Sequence, residues 1–240
     1  VLCFRICGGV FTARLVPTCV AGILLAVLLM LGAWQMQRLQ WKESLIATIA
    51  ARGVESPIDI STWNDTTPLV EWDYRHAHAT GTFLHDHEFY RTALSLDGKG
   101  GYHVLTPLHL NDGRFVLIDR GFVPYEKKLP ATRVEGQSVG EVTVKGLLRL
   151  PQKVWLSPPN QPDINQWYAT DLPAMAKIAG VPAFMPFVLE VDTAPNAGGF
   201  PIGGQTRLEL PNNHLGYALT WFGLALGLTV IYFVSSWKRD

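Results

Sequence analysis

The sequence predicts a membrane protein: two transmembrane α-helices bracketing a mainly antiparallel, barrel-like β domain outside the membrane, with one short helix in it. Three observations predict this. Two long uncharged apolar runs, Leu15–Met36 and Leu215–Val234, stand near the two ends. Short β-like runs separated by turn residues fill the middle. One segment, Leu172–Ala179, carries helix start and stop signals.

Each apolar run is long enough to cross a hydrocarbon core of ~30 Å as a helix. The first is too long for the apolar region of a signal peptide, and no small-residue cleavage pattern follows it. It reads as an uncleaved anchor. Residue 1 is Val, so the sequence reads as starting at a processed or trimmed end. The expected organisation is a tail over 1–14 and a first span over 15–36, its helix continuing to about residue 49. A β domain over 50–211, a second span over 212–234 and a tail over 235–240 follow.

The charge balance, 20 Lys+Arg against 20 Asp+Glu, gives no electrostatic reason to expect a nucleic-acid partner. Arg5, Arg14, Lys238 and Arg239 in the tails against Arg38, Lys42 and Arg207 in the loop favour tails on the cytoplasmic or matrix side. Cys3, Cys7 and Cys19 all precede the β domain, which therefore holds no internal disulfide. Cys3 and Cys7 would share a face if the tail were helical, but two thiols alone make a poor metal site.

Taken in order, Trp34, Arg38, Trp41 and Leu45 share one helix face at the end of the first span. They read either as an interfacial belt or as the wall of a site. Strands are expected over Trp72–Thr80, Glu88–Leu96, Tyr102–Leu110, Phe115–Val123, Glu141–Leu150, Phe187–Asp192 and Thr206–Leu210. Asp171 is the expected N-cap of the short helix, with Pro173 in its first turn and Gly180 and Pro182 at its end.

Enzyme signatures are missing. No Ser sits in a nucleophile elbow, and no Cys lies in the β domain. The Gly198–Gly204 loop lacks the Lys-Ser/Thr of a phosphate loop. Asp119 and Arg120 read as an ion pair at a sheet edge. The pairs His76/His78 and His85/His87 are a weak metal signal, lacking a carboxylate or thiolate at fixed spacing.

The strongest candidate opens the second span. His214, Tyr217 and Trp221 lie at i, i+3 and i+7, on one helix face at the membrane boundary. An ionisable ring there is a functional candidate. A neutral imidazole can ligate haem iron, aromatic rings can wall a macrocycle, and Arg38 or Arg207 can meet propionates. Alternatively, His214 only packs at the helix start, with Asn212 or Asn213 as cap.

Five stretches together carry a resemblance: LGAWQMQRLQWKESLI (31–46), VLIDRGFVP (116–124), NQWYATDLPAMA (165–176), PIGGQTRLEL (201–210) and NNHLGYALTWFGLA (212–225). In this order they resemble the Surfeit locus protein 1 family, assembly factors of cytochrome c oxidase. The resemblance implies a non-enzymatic inner-membrane protein, bacterial or mitochondrial, with its central domain on the periplasmic or intermembrane side. It implies partners in oxidase subunit I and other assembly factors, and handling of haem a. The family's second-span histidine falls on His214, the expected iron ligand. Tyr217, Trp221 and Trp34 are expected to pack the haem and Arg38 to pair a propionate. Gly216 stands where the family usually has Gln, and Asp119 where it usually has Asn. The alternatives are a cofactor-free scaffold that docks oxidase subunits, and a metal carrier using His76, His78, His85 and His87.

Overall fold

The computed structural model describes residues 2–6, 9–64, 66–152, 156–207 and 210–239. They form β1 (Leu2–Ile6), β2 (Gly9–Ala13), α1 (Leu15–Gly53), β3 (Ile58–Asp59), β4 (His76–Phe83), β5 (Phe89–Leu94) and β6 (Gly100–Leu110). Then follow β7 (Phe115–Pro124), β8 (Glu141–Arg149), β9 (Gln166–Trp167), α2 (Leu172–Ala179), β10 (Phe184–Val191), α3 (His214–Ser236) and β11 (Trp237–Arg239). The chain divides into two compact units, Val1–Thr48 with Glu209–Asp240, and Ile49–Leu208.

The first unit holds the two apolar helices and a small antiparallel sheet ordered β1-β2-β11. Only 6% of the apolar window of α1 and 11% of that of α3 is buried by protein. A core helix would be covered, so these two bare surfaces suit lipid. At ~1.5 Å per residue, the 23 residues of α3 span ~34 Å, enough for the bilayer core. Cys3 lies on β1, and Cys7 lies outside the described residues.

The second unit is a five-stranded barrel. The sheet runs β3-β4-β8-β10-β7-β6-β5-β9, and a further pairing of β4 with β6 closes the ring β4-β8-β10-β7-β6. Ring pairings are antiparallel except β10 with β7, which are parallel. Alternation sorts the side chains. Ala77, Ala79, Leu108, Leu110, Val116, Ile118, Val144, Leu148, Phe187 and Leu189 fill the interior, where Trp72 stacks on Phe187. The residues between them face out, and α2 covers part of that side. Its Met175 and Ala176 pack with Leu105, Leu117, Phe184, Val188 and Trp167. Burying a side chain such as Met175 contributes ~1.5–3 kcal/mol.

Local chemistry sets most boundaries. Asp171 caps α2 by accepting from the Ala174 N–H, and Gly180 ends it at φ 67° in the left-handed region. The strand expected from Trp72 starts only at His76, because Tyr74 sits at φ 62°, off the extended region. Strand β10 starts earlier than Phe187, and its pairing with β7 shifts register between Phe184 and Val188. Pro186 lies in that gap and has no N–H to donate. Of the run Thr206–Leu210, Thr206, Arg207 and Leu210 are not strand and 208–209 lie outside the described residues.

Candidate functional site

In the first unit the covered positions of α1 include the series Thr18, Ala21, Leu25, Leu28, Gly32, Gln35 and Leu39, with Leu31 and Met36 beside it. Those of α3 include the series His214, Ala218, Trp221, Ala225, Leu228 and Tyr232, with Thr229 beside it. Both series alternate steps of three and four, the spacing of a left-handed helix seam. Three contacts fix an antiparallel register. At one end the Thr18 and Tyr232 hydroxyls are 2.7 Å apart. In the middle Gly32 meets the Phe222 ring so closely that a Cβ would lie 2.5 Å from it. At the other end His214 meets Gln35.

That last contact builds the site. The His214 Nδ1 lies 2.7 Å from the Gln35 Oε1. With the amide oxygen placed toward the ring, Nδ1 carries the proton and Nε2 keeps its lone pair. Gln35 is buried, so its carbonyl is a fixed acceptor rather than a wandering surface group. A carbonyl acceptor on one ring nitrogen fixes the orientation of an imidazole and leaves the other nitrogen free to accept. Asn213 occupies the cap position of α3 but makes no side-chain cap bond. Beside the histidine, a Cβ on Gly216 would meet no heavy atom within 4 Å, so the helix flank there is open.

The other expected site residues distribute unevenly. Trp221 lies on the covered face of α3, about two turns from His214. Tyr217 is 58% exposed and Trp34 51% exposed, so neither ring is used in packing the helix pair. Arg38 is exposed, with its guanidinium 4.5 Å from the Trp41 ring centroid. Gln35 was not singled out from the sequence, where its signal is a polar side chain between Trp34 and Met36 at the end of an apolar run. Arg207 belongs to the second unit, where its Nη2 donates to the Ser95 carbonyl at 3.1 Å.

The histidines of the β domain have separate partners. His76 Nδ1 is 3.9 Å from Asp192, and His78 Nε2 is 3.7 Å from Asp59. His85 Nε2 sits 2.8 Å from the Ser138 carbonyl. Among the described residues no group of three or more His, Cys, Asp or Glu side chains could hold a metal.

Two buried charge clusters were not legible in the sequence. Asp119 and Arg120 do not pair with each other, because successive strand residues point to opposite faces. On the outer face, Asp119 Oδ2 accepts from Arg91 Nη2 at 2.7 Å and lies 2.8 Å from His103 Nδ1. Burial alone would raise the Asp119 carboxyl; the charges of His103 and Arg91 outweigh it and bring it below the ordinary range. Its neighbour Glu190 goes the other way, raised by burial and by Asp119. On the inner side, Glu88 takes the fork of Arg133, with Nη1 donating to Oε1 at 3.1 Å and Nη2 to Oε2. Burial would raise the Glu88 carboxyl, but contacts from His85, Arg133 and Gln137 hold it at about 2.

With this geometry established, likeness to known proteins identifies the family. The SURF1 family profile matches residues 22–226. The chain is similar to Surfeit locus protein 1 of Mus musculus, 39% identical over 225 residues, covering 87% of this chain and 72% of that protein. It is similar to Surfeit locus protein 1 of Homo sapiens, at 37% over 85% of this chain and 72% of that one. It is also similar to the SURF1-like protein of Monosiga brevicollis, at 36% over 91% and 84%. On a match across both apolar helices and the barrel between them, the chain belongs to the SURF1 family.

Proposed function

We propose that this chain serves cytochrome c oxidase assembly by holding haem a at His214 for delivery to subunit I. Family membership supports the coarser part, a membrane protein acting in assembly of the oxidase rather than as an enzyme. The haem reading rests on one observation: a histidine at a span boundary whose Nδ1 is held by a buried amide.

The residues fit one axial position. His214 would offer Nε2 to the iron. Trp34 and Tyr217 supply apolar ring surface left bare by the helix pair, Trp221 lies on the covered face of α3 with His214, and Arg38 can meet a propionate by charge-assisted hydrogen bonds. Bound haem would supply the chromophore and the redox-active iron; the chain's own part is to bind, orient and release it. An apolar cofactor tail dissolves in lipid, which favours a site on the spans. The expected setting is an inner membrane, with the central domain on the periplasmic or intermembrane side and other assembly factors as neighbours.

The test is the optical spectrum of detergent-purified protein from cells making haem a, with the extracted haem typed. His214→Ala is expected to abolish the absorbance while the protein remains membrane-inserted. Unchanged absorbance in that variant removes the ligand assignment. Absence of haem together with normal support of oxidase assembly leaves the cofactor-free scaffold as the reading.

A further inference from the structure

The barrel interior ends in a cavity of about 390 Å3. It opens where β10 stops pairing with β8: the last paired residue of β10 is Val191, opposite Gly146, and after the Asp192 N–H donates to the Lys145 carbonyl, β8 runs back to Glu141 paired with β4 but not with β10. Phe83, Val142, Val144 and Val191 form its apolar walls, and Arg120 lines it from within. Arg120 follows Val116 and Ile118 at strand spacing, so it points into the barrel as they do. The size lies in the range of small-molecule sites, and barrel mouths are a usual place for them.

Arg120 is 3% exposed, which is extreme for a guanidinium. Its Nη2 donates to the Gly136 carbonyl, and its plane lies over Phe83, 4.8 Å from the ring centroid. Its Nη1 makes no hydrogen bond; the Glu88 Oε1 is 3.6 Å away. Glu88 is already committed to Arg133, and also accepts from the Tyr90 hydroxyl at 3.2 Å and Gln137 Nε2 at 3.3 Å. Among the described residues, Glu88 is the only carboxylate in ion-pair reach of either arginine. Two buried guanidiniums therefore share one buried carboxylate, and the cluster keeps a surplus positive charge. At the rim, Lys145 and Asp192 offset each other. An unbalanced buried charge is costly unless something pairs it. Burial lowers Arg120 only to about 10, so it stays charged at neutral pH.

We infer that the barrel mouth binds a small organic acid, its carboxylate paired with Arg120 and its apolar body against Phe83, Val142, Val144 and Val191. The surplus charge selects an anion, and the apolar walls select against a bare inorganic one. This site is independent of His214 and of any haem.

The experiment uses the full chain in lipid nanodiscs, with binding followed by calorimetry and empty nanodiscs subtracted. The probes are benzoate and its neutral isostere benzamide. Benzoate is expected to bind saturably, with benzamide about tenfold weaker or more, as for loss of a charge-assisted hydrogen bond. Arg120→Gln is expected to remove that preference. Because Arg120 also supports the fold, Val142→Trp is the second variant; it fills the mouth and leaves Arg120, Glu88 and Arg133 in place. Loss of benzoate binding in Val142→Trp, with near-ultraviolet circular dichroism unchanged, supports the site. No saturable uptake at millimolar benzoate, equal affinity for benzamide, or full binding in Val142→Trp overturns it.

Discussion

The Nδ1 of His214 and the Oε1 of Gln35 stand 2.7 Å apart, joining α3 to α1 at one end of a mostly apolar seam whose other end carries the Thr18–Tyr232 hydroxyl contact. The bond leaves the second ring nitrogen of His214 available. It also makes the orientation of the imidazole a property of both helices, so the proposed ligand can be weakened without touching it.

Replacing Gln35 with Leu keeps the seam packed and removes the acceptor. Loss of an outer-shell contact lowers affinity at a ligating histidine by ~10–100-fold. Haem retained per protein through dilution is therefore expected to fall in Gln35→Leu and to survive in Gln35→Glu, which keeps an acceptor. Equal retention in Gln35→Leu and the wild type would show that the contact serves packing alone.

Gly32 leaves room for the Phe222 ring of the other helix. Gly32→Val drives its side chain into the Phe222 ring and is expected to loosen the pair by ~1–3 kcal/mol. Phe222→Ala in the same chain should recover part of that loss, because the two residues share one space. Detergent-to-SDS unfolding titrations of the two single variants and the double variant measure the coupling; strict additivity contradicts the contact.

Glu88 makes the β domain acid-sensitive. Its folded value of about 2 lies below the ordinary 4.5, so its contribution is fully present above 4.5 and is lost as pH falls towards 2. Denaturant midpoints of the wild type should decline through that window. Glu88→Gln leaves Arg120 and Arg133 without a counter-charge and is expected to destabilise by ~3–5 kcal/mol at neutral pH, with a flatter acid decline.

Glu190 has the opposite sign. Its carboxyl is raised above 4.5 by burial and by Asp119, so its favourable contribution exists at low pH and is lost as pH rises. Glu190→Gln, which can still accept from the Thr206 hydroxyl, is expected to stabilise the protein at pH ~7 and to be neutral at pH ~4. A destabilised variant at neutral pH would contradict the assigned direction.

The sequence by itself determined the elements whose signals are local. Uncharged length marked α1 and α3, and Asp171 with Gly180 bounded α2 to the residue. Alternation and turn residues placed the barrel strands within a few positions, failing where Tyr74 leaves extended backbone and where Pro186 interrupts a ladder. His214 was visible because an ionisable ring is anomalous at a span boundary. What only the tertiary structure decided are the pairings. Gln35 lies 179 positions from His214, and Arg133 lies 45 from Glu88. Periodicity assigns a side chain to a face, but a partner on another element is set by register and packing. That is why Asp119 and Arg120, neighbours in the chain, serve separate clusters on opposite faces of one strand.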